Sequence, residues 1–236
     1  MLIITDCRLP TAVRDNLTKQ GHRLIPLPPH PALPTPVASH PDMLIFFTKD
    51  ALLTTESYRR IARDEIAFIA SALELKVQTV AAELGNRYPY DVPLNAAPVG
   101  SLLFCHPEYT AAELLTRKAF PTVPVRQGYA KCATLPVGSS ALITEDPSIA
   151  RAARKNGIDV LQISQNAVKL SGYSTGFLGG AASFAPFGDC HEILFCGSLD
   201  THPDAAAIRT FCTVRGYKAV SLSDAPLYDV GTMFVF

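Results

Sequence analysis

Leu135-Pro-Val-Gly138-Ser-Ser-Ala141-Leu-Ile-Thr-Glu-Asp146-Pro-Ser-Ile-Ala-Arg-Ala-Ala-Arg-Lys-Asn-Gly157-Ile-Asp-Val-Leu-Gln-Ile-Ser164 spells out one complete folding unit. Pro136 ends a first strand, because proline has no N–H to give to a ladder. Gly138 supplies the positive φ of a hairpin turn. Ala141-Leu-Ile then reads as a buried strand. Asp146 and Pro147 open a helix, alanines fill it, and Asn156-Gly157 closes it. Ile158 to Ser164 is a last strand. The unit is strand, turn, strand, helix, strand.

The same phrase recurs along the chain. Ala97-Pro-Val-Gly100-Ser and Ala185-Pro-Phe-Gly188-Asp are close copies, and Tyr228-Asp-Val-Gly231-Thr and Ser39-His-Pro-Asp42-Met are weaker ones. Apolar runs follow each: Leu102-Leu-Phe, Glu192-Ile-Leu-Phe, Met233-Phe-Val-Phe and Met43-Leu-Ile-Phe-Phe. Helices are expected from the first strand to Gly21, from about Thr55 through Ile69, over Thr110 to Phe120, and over Pro203 to Arg215. Further strands are expected at Arg23 to Leu27, Val123 to Arg126 and Lys218 to Leu222. Five units result, the first split between the termini, with its opening strand placed at Ala225 to Gly231. Pairing of first and last segments would close a ring and remove exposed sheet edges. The alternative is an open doubly wound α/β sheet. Either way, residues 1–236 read as one domain.

Composition narrows the function classes. Of the residues 48% are hydrophobic and 18% charged, with 21 basic against 21 acidic side chains. That balance gives no electrostatic reason to expect a nucleic acid or an anionic membrane as partner. No apolar run approaches the roughly 20 residues of a membrane span, and the start lacks a signal-peptide pattern. A cytoplasmic protein is expected; nothing sets its oligomeric state. Cys7, Cys105, Cys132, Cys190, Cys196 and Cys212 are widely scattered, which favours reduced thiols. Their spacing suits no metal, and no cofactor motif is present: Gly172 to Gly180 lacks the phosphate-loop pattern and reads as a close-packed loop. Pro26 to Pro41 reads as an extended connector, and Tyr58 to Glu65 as a solvated helix face.

A ring of five such units resembles the pentein fold, the β/α propeller of the guanidino-group-modifying enzymes. Arginine deiminases, dimethylarginine dimethylaminohydrolases and amidinotransferases belong to it, as do the non-enzymatic ribosome anti-association factors. The resemblance implies catalytic groups on the first strand of each hairpin, facing the axis: a cysteine nucleophile, a histidine, and acids that grip a guanidinium. On that basis His40 and Asp42 in Ser39-His-Pro-Asp42 match a His-x-Asp element, Asp91 and Asn95 fall in the third unit, Lys131 and Cys132 in the fourth, and Asp224 and Asp229 in the first. The family's cysteine follows a Gly-Gly element. Here Gly179-Gly180 is followed by Ser183, and Cys132 lies one unit earlier.

Two functions follow. One is a cysteine-dependent hydrolase or transferase acting on a small guanidine- or amidine-like cation: Cys132 attacks, His40 relays protons, and Asp42, Asp91, Asn95, Ser183 and Asp229 hold substrate. The other is a non-catalytic pentein-shaped protein that binds a protein or RNA. Lys131 adjoins Cys132, but on a strand the two would point to opposite faces. The bland readings are a packed cysteine and aspartates serving turns.

Overall fold

The computed structural model describes residues 1–116, 120–184 and 191–236. In chain order the elements are β1 (Leu2–Asp6), α1 (Thr11–Lys19) and β2 (Arg23–Leu27), then α2 (Pro41–Leu44), β3 (Ile45–Phe47), β4 (Ala51–Thr55), α3 (Glu56–Ile61), α4 (Arg63–Ala72) and β5 (Lys76–Val80). They continue with β6 (Ala97–Val99), β7 (Leu102–Cys105), α5 (Ala112–Leu115) and β8 (Thr122–Pro124), then β9 (Leu135–Pro136), β10 (Ala141–Thr144), α6 (Pro147–Lys155) and β11 (Asp159–Gln162). Last come β12 (Ala182–Phe184), β13 (Glu192–Phe195), α7 (Ala205–Thr213), β14 (Lys218–Ser221) and β15 (Phe234–Val235).

The strands form five three-stranded sheets of one pattern. A middle strand pairs antiparallel with the strand that opens the unit and parallel with the one that follows the helix. In the fourth sheet Ile143 faces Leu135 on one side and Leu161 on the other. The middle strands β4 and β10 are buried along their whole length, which is why they read as unbroken apolar runs. Helices cover the sheets. Ile149 and Ala153 of α6 pack with Leu142 and Ile158, and each large aliphatic side chain so buried contributes about 1.5–3 kcal/mol. The α6 start is the one read from sequence: the Asp146 carboxylate accepts from the N–H groups of Ser148 and Ile149 at 2.8 and 2.9 Å, satisfying donors that a helix terminus leaves free. Gly138 has φ +71 at the β9–β10 turn, as the hairpin requires.

Three expectations are corrected. Met43 to Phe47 is not one strand: Pro41–Leu44 is a helical turn and Ile45–Phe47 is the opening strand of its sheet. The hairpin turns instead at Thr48 to Asp50, where the Thr48 hydroxyl accepts from the Ala51 N–H at 3.0 Å and donates to the Asp50 carboxylate at 2.9 Å. A threonine and an aspartate replace glycine there. Secondly, Ala225 to Gly231 does not open the first unit. Phe234–Val235 does, antiparallel to β1, so Met1-Leu-Ile-Ile supplies the middle strand. Thirdly, His40, Asp42, Asp91, Asn95 and Cys132 lie not on opening strands but in the turns that lead into them. The copy Ala185 to Asp189 lies outside the described residues.

The opening strands are neighbours: β12 packs against both β9 and β15. Among the described residues, no helix is long and apolar enough to cross a membrane.

Candidate functional site

The segments that lead into the opening strands are mostly tight turns. Four of the turns close by a local bond: Met43 N–H to the His40 carbonyl, Asn95 N–H to Val92, Ala133 N–H to Tyr129, and Ala181 N–H to Phe177; ahead of β15, Thr232 instead gives its N–H to the Gly180 carbonyl of a distant segment. These turns meet inside the protein, and one buried polar network ties together residues from all five sheets' entry turns. Asn95 is its hub. Its amide oxygen accepts from the N–H groups of Lys131 and Cys132 at 2.8 and 3.2 Å. Its Nδ2 donates toward the Asp42 carbonyl, the Met43 sulfur and the Cys132 sulfur at 3.1–3.2 Å. The Cys132 thiol donates to Asp42 Oδ2 at 3.0 Å. Lys131 Nζ donates to Thr232 Oγ1 at 2.7 Å, and that hydroxyl donates to the Gly179 carbonyl at 2.6 Å and lies 3.4 Å from Asp42 Oδ2. Thr232 has φ +67, a conformation costly for a β-branched residue, and these bonds hold it there.

The electrostatics follow from burial. Loss of solvent pushes the Asp42 carboxyl up, against the pull of the Lys131 charge. It pushes the Lys131 amine down, against the Asp42 carboxylate. The Cys132 thiol is pushed well up by burial and then by the Asp42 and Asp229 carboxylates. A thiol in that setting is a poor nucleophile. Among the described residues Asp42 Oδ1 has no hydrogen-bond partner although it is buried, an arrangement that costs free energy unless something fills it.

A pocket of about 710 Å³ opens beside this network. Every sheet's opening strand contributes to its wall: Phe47, Pro98, Pro136, Phe184 and Phe234. Phe47 meets Phe234 and Phe236 edge-on at 5.1 and 4.9 Å, and Phe184 meets Tyr217 at 5.3 Å. Asp42, Lys131 and Thr232 reach the pocket, whereas Asn95 and Cys132 stand behind them. The mouth carries Lys49 and Asp50 from the turn. An apolar cleft with a few converging polar groups is the usual form of a small-molecule site.

The other expected site residues are elsewhere. His40 is buried with its ring nitrogens 3.8 Å from Asp6 Oδ2 and Asp229 Oδ1, and the Cys132 sulfur hydrogen-bonds to Asp42 and Asn95, not to His40. Burial pushes His40 down, against both carboxylates. Asp229 accepts from the N–H groups of Phe177 and Gly231, both at 2.9 Å. Asp91 accepts from the Tyr129 hydroxyl at 2.7 Å, and its carboxyl is pushed up by burial. Ser183 Oγ accepts from the Met233 N–H at 3.0 Å. Asp224 is exposed. Sequence reasoning offers Lys131 beside Cys132 but gives it no role, and it misses Thr232. On a strand, Lys131 would face away from Cys132; in a helical turn, both enter one network. The thiols of Cys7, Cys105, Cys132, Cys196 and Cys212 are free, and among the described residues no His, Cys, Asp or Glu group is arranged to hold a metal.

The family of unknown function DUF6873 matches residues 4–234. The chain belongs to that family. No curated protein sequence matches it. Among solved structures, it is similar to a dimethylarginine dimethylaminohydrolase variant in an adduct with S-methyl-L-thiocitrulline, with a TM-score of 0.54 and 10% identity over 94% of this chain and 92% of that one. That likeness shows a shared fold: this DUF6873 chain has the architecture of a pentein enzyme, and fold alone assigns no chemistry.

Proposed function

We propose that this DUF6873 protein is a pentein-type ring that binds a small molecule in the pocket bounded by its five opening strands. The ring is supported by β12 packing against β9 on one side and β15 on the other, and by the contribution of every sheet to one pocket wall. The observation that carries the binding reading is the pairing of an aromatic wall with Asp42 and Lys131 on either side of the Thr232 hydroxyl. The ligand's apolar body lies among Phe47, Phe184 and Phe234. Its polar head donates to the Asp42 carboxylate, whose buried Oδ1 has no hydrogen-bond partner among the described residues. The ligand is uncharged or zwitterionic, because a simple cation would meet Lys131 and a simple anion Asp42.

The shared fold suggests a cysteine hydrolase of a guanidine- or amidine-like cation. The site supports that reading less. Cys132 is buried behind the pocket wall, its thiol donates to a carboxylate, and no histidine reaches it. The two readings separate in one experiment. A fragment screen by protein-observed NMR should give ligands that perturb Phe47, Phe184 and Phe234 together, and Asp42→Asn should weaken them about tenfold, as loss of a charge-assisted hydrogen bond does. Iodoacetamide should leave Cys132 unmodified in the folded protein. Ligands that map away from these phenylalanines, or fast alkylation of Cys132, would sink the binding reading.

A further inference from the structure

We propose that Lys131 captures a carbonyl compound in this pocket as a covalent imine. The inference rests on the pocket reading above and names the class of compound it takes.

Lys131 is unusual in its surroundings. Its side chain is buried, yet it forms part of the wall of an open, largely apolar cavity. Among the described residues, its ammonium makes one hydrogen bond, to Thr232 Oγ1, although it has three hydrogens to give. It forms no ion pair within 4 Å with any described carboxylate. A structural buried lysine is normally saturated by such partners. Here Asp42 stands one hydroxyl away, with Thr232 Oγ1 2.7 Å from the amine and 3.4 Å from Asp42 Oδ2. The site thus holds an amine and a carboxyl joined by a hydroxyl that can pass a proton. Apolar surroundings favour the neutral, nucleophilic amine, and burial pushes Lys131 in that direction. A carbonyl is the electrophile that fits. It brings no charge against Lys131 or Asp42.

The step balances without any further reagent. The ammonium proton passes through the Thr232 hydroxyl to the Asp42 carboxylate, leaving a neutral amine. The nitrogen lone pair attacks the carbonyl carbon, the C=O π electrons move to oxygen, and nitrogen loses a proton to that oxygen to give a carbinolamine. Asp42 returns its proton to the hydroxyl, which leaves as water while the nitrogen lone pair forms the C=N bond. One aldehyde and one ammonium become one iminium and one water, and Asp42 ends as it began.

Lys49 at the pocket mouth is exposed and serves as a control within the same molecule. The test treats the full chain with substoichiometric benzaldehyde and sodium cyanoborohydride, then maps N-benzyl lysine by peptide mass spectrometry. Lys131 should be benzylated at least about tenfold faster than Lys49, as expected for a desolvated amine. Asp42→Asn should slow Lys131 but not Lys49, provided its melting curve stays cooperative. Labelling of Lys131 no faster than Lys49 overturns the proposal. Benzyl alcohol, which has the same shape without the carbonyl, reports on the pocket separately by thermal shift. If it stabilises the protein while Lys131 is not trapped, the imine fails and the pocket stands. If neither is seen, both fail.

Discussion

The buried polar cluster around Asp229 and the one around Asp42 differ in how completely their hydrogen bonds are made among the described residues. Around Asp229, closure is tight. Both carboxylate oxygens accept backbone N–H groups, and the glycine loop wraps so closely that a Cβ on Gly180 would stand 2.1 Å from Asp229 Oδ1. Asp6, across the His40 ring, is likewise held by Arg8 and Ser39. Around Asp42, the network is open on one side. Among the described residues Asp42 Oδ1 has no partner and Lys131 makes a single hydrogen bond, and both side chains belong to residues that line a cavity. Satisfied buried groups hold a fold; unsatisfied ones beside a cavity mark a place where a ligand completes them. Histidine and aspartate in a suggestive His-x-Asp spacing therefore divide between the two: His40 belongs to the closed cluster and Asp42 to the open one.

The closed cluster should break most severely. Gly180→Ala drives a methyl into the Asp229 carboxylate, which must move and release the Phe177 and Gly231 N–H groups. The expected cost is about 3–5 kcal/mol or failure to fold, read by chemical denaturation. A variant with near-native stability would show that the cluster is not close-packed, and the contrast with Asp42 would lose its basis.

Glu145 sharpens the same comparison through pH. Its Oε1 accepts from the Leu178 N–H at 3.0 Å, while the buried Oε2 has no partner among the described residues. Burial raises its pKa to about 7 from 4.5. The folded state therefore holds a proton that the unfolded chain has already lost. Below pH 4.5 the group costs nothing; as pH rises through 7 the full penalty develops, and above that it is constant. A tenfold change in an acidity constant corresponds to roughly 1.4 kcal/mol, so the penalty is on the order of 3–4 kcal/mol. Glu145→Gln should flatten this part of the stability profile between about pH 4.5 and 7.5, and an unchanged slope would place the proton elsewhere.

How much of this was legible in the sequence depends on which chemistry made each turn. The β6–β7 and β9–β10 hairpins were readable because proline and a positive-φ glycine mark them, at Gly100 and Gly138. Helix α6 was readable from its aspartate cap. The β3–β4 hairpin was not, because Thr48 and Asp50 make its turn with side chains, and the apolar run Met43 to Phe47 hides a change from helix to strand. The site was partly legible: Asp42, Asn95 and Cys132 stand out in the sequence and do share a network. Lys131 stands beside Cys132 without a role, and Thr232 does not stand out. Strand alternation sets Lys131 apart from Cys132, and nothing local marks Thr232 as the left-handed residue that bridges Lys131 and Asp42.

The smallest effect expected is also the one that separates the two functions most cleanly. Cys132→Ala removes a thiol that donates to Asp42 Oδ2 and accepts from Asn95. Deleting a sulfur and one hydrogen bond from a packed site should cost about 1–2 kcal/mol of stability. The pocket should hardly respond. The Asn95 amide oxygen still holds the Lys131 and residue 132 N–H groups, so Lys131 keeps its place beside Thr232. Cys132 is not part of the pocket wall, so no ligand contact is lost. Fragment affinity and benzaldehyde trapping at Lys131 should stay within about twofold of the parent, the behaviour of a site coupled only weakly to the deleted group. A cysteine hydrolase would behave in the opposite way, keeping its fold and losing its chemistry entirely with this one atom. Abolished ligand capture in a Cys132→Ala protein that melts normally would therefore return the thiol to the centre of the site and make Lys131 its neighbour, not its replacement.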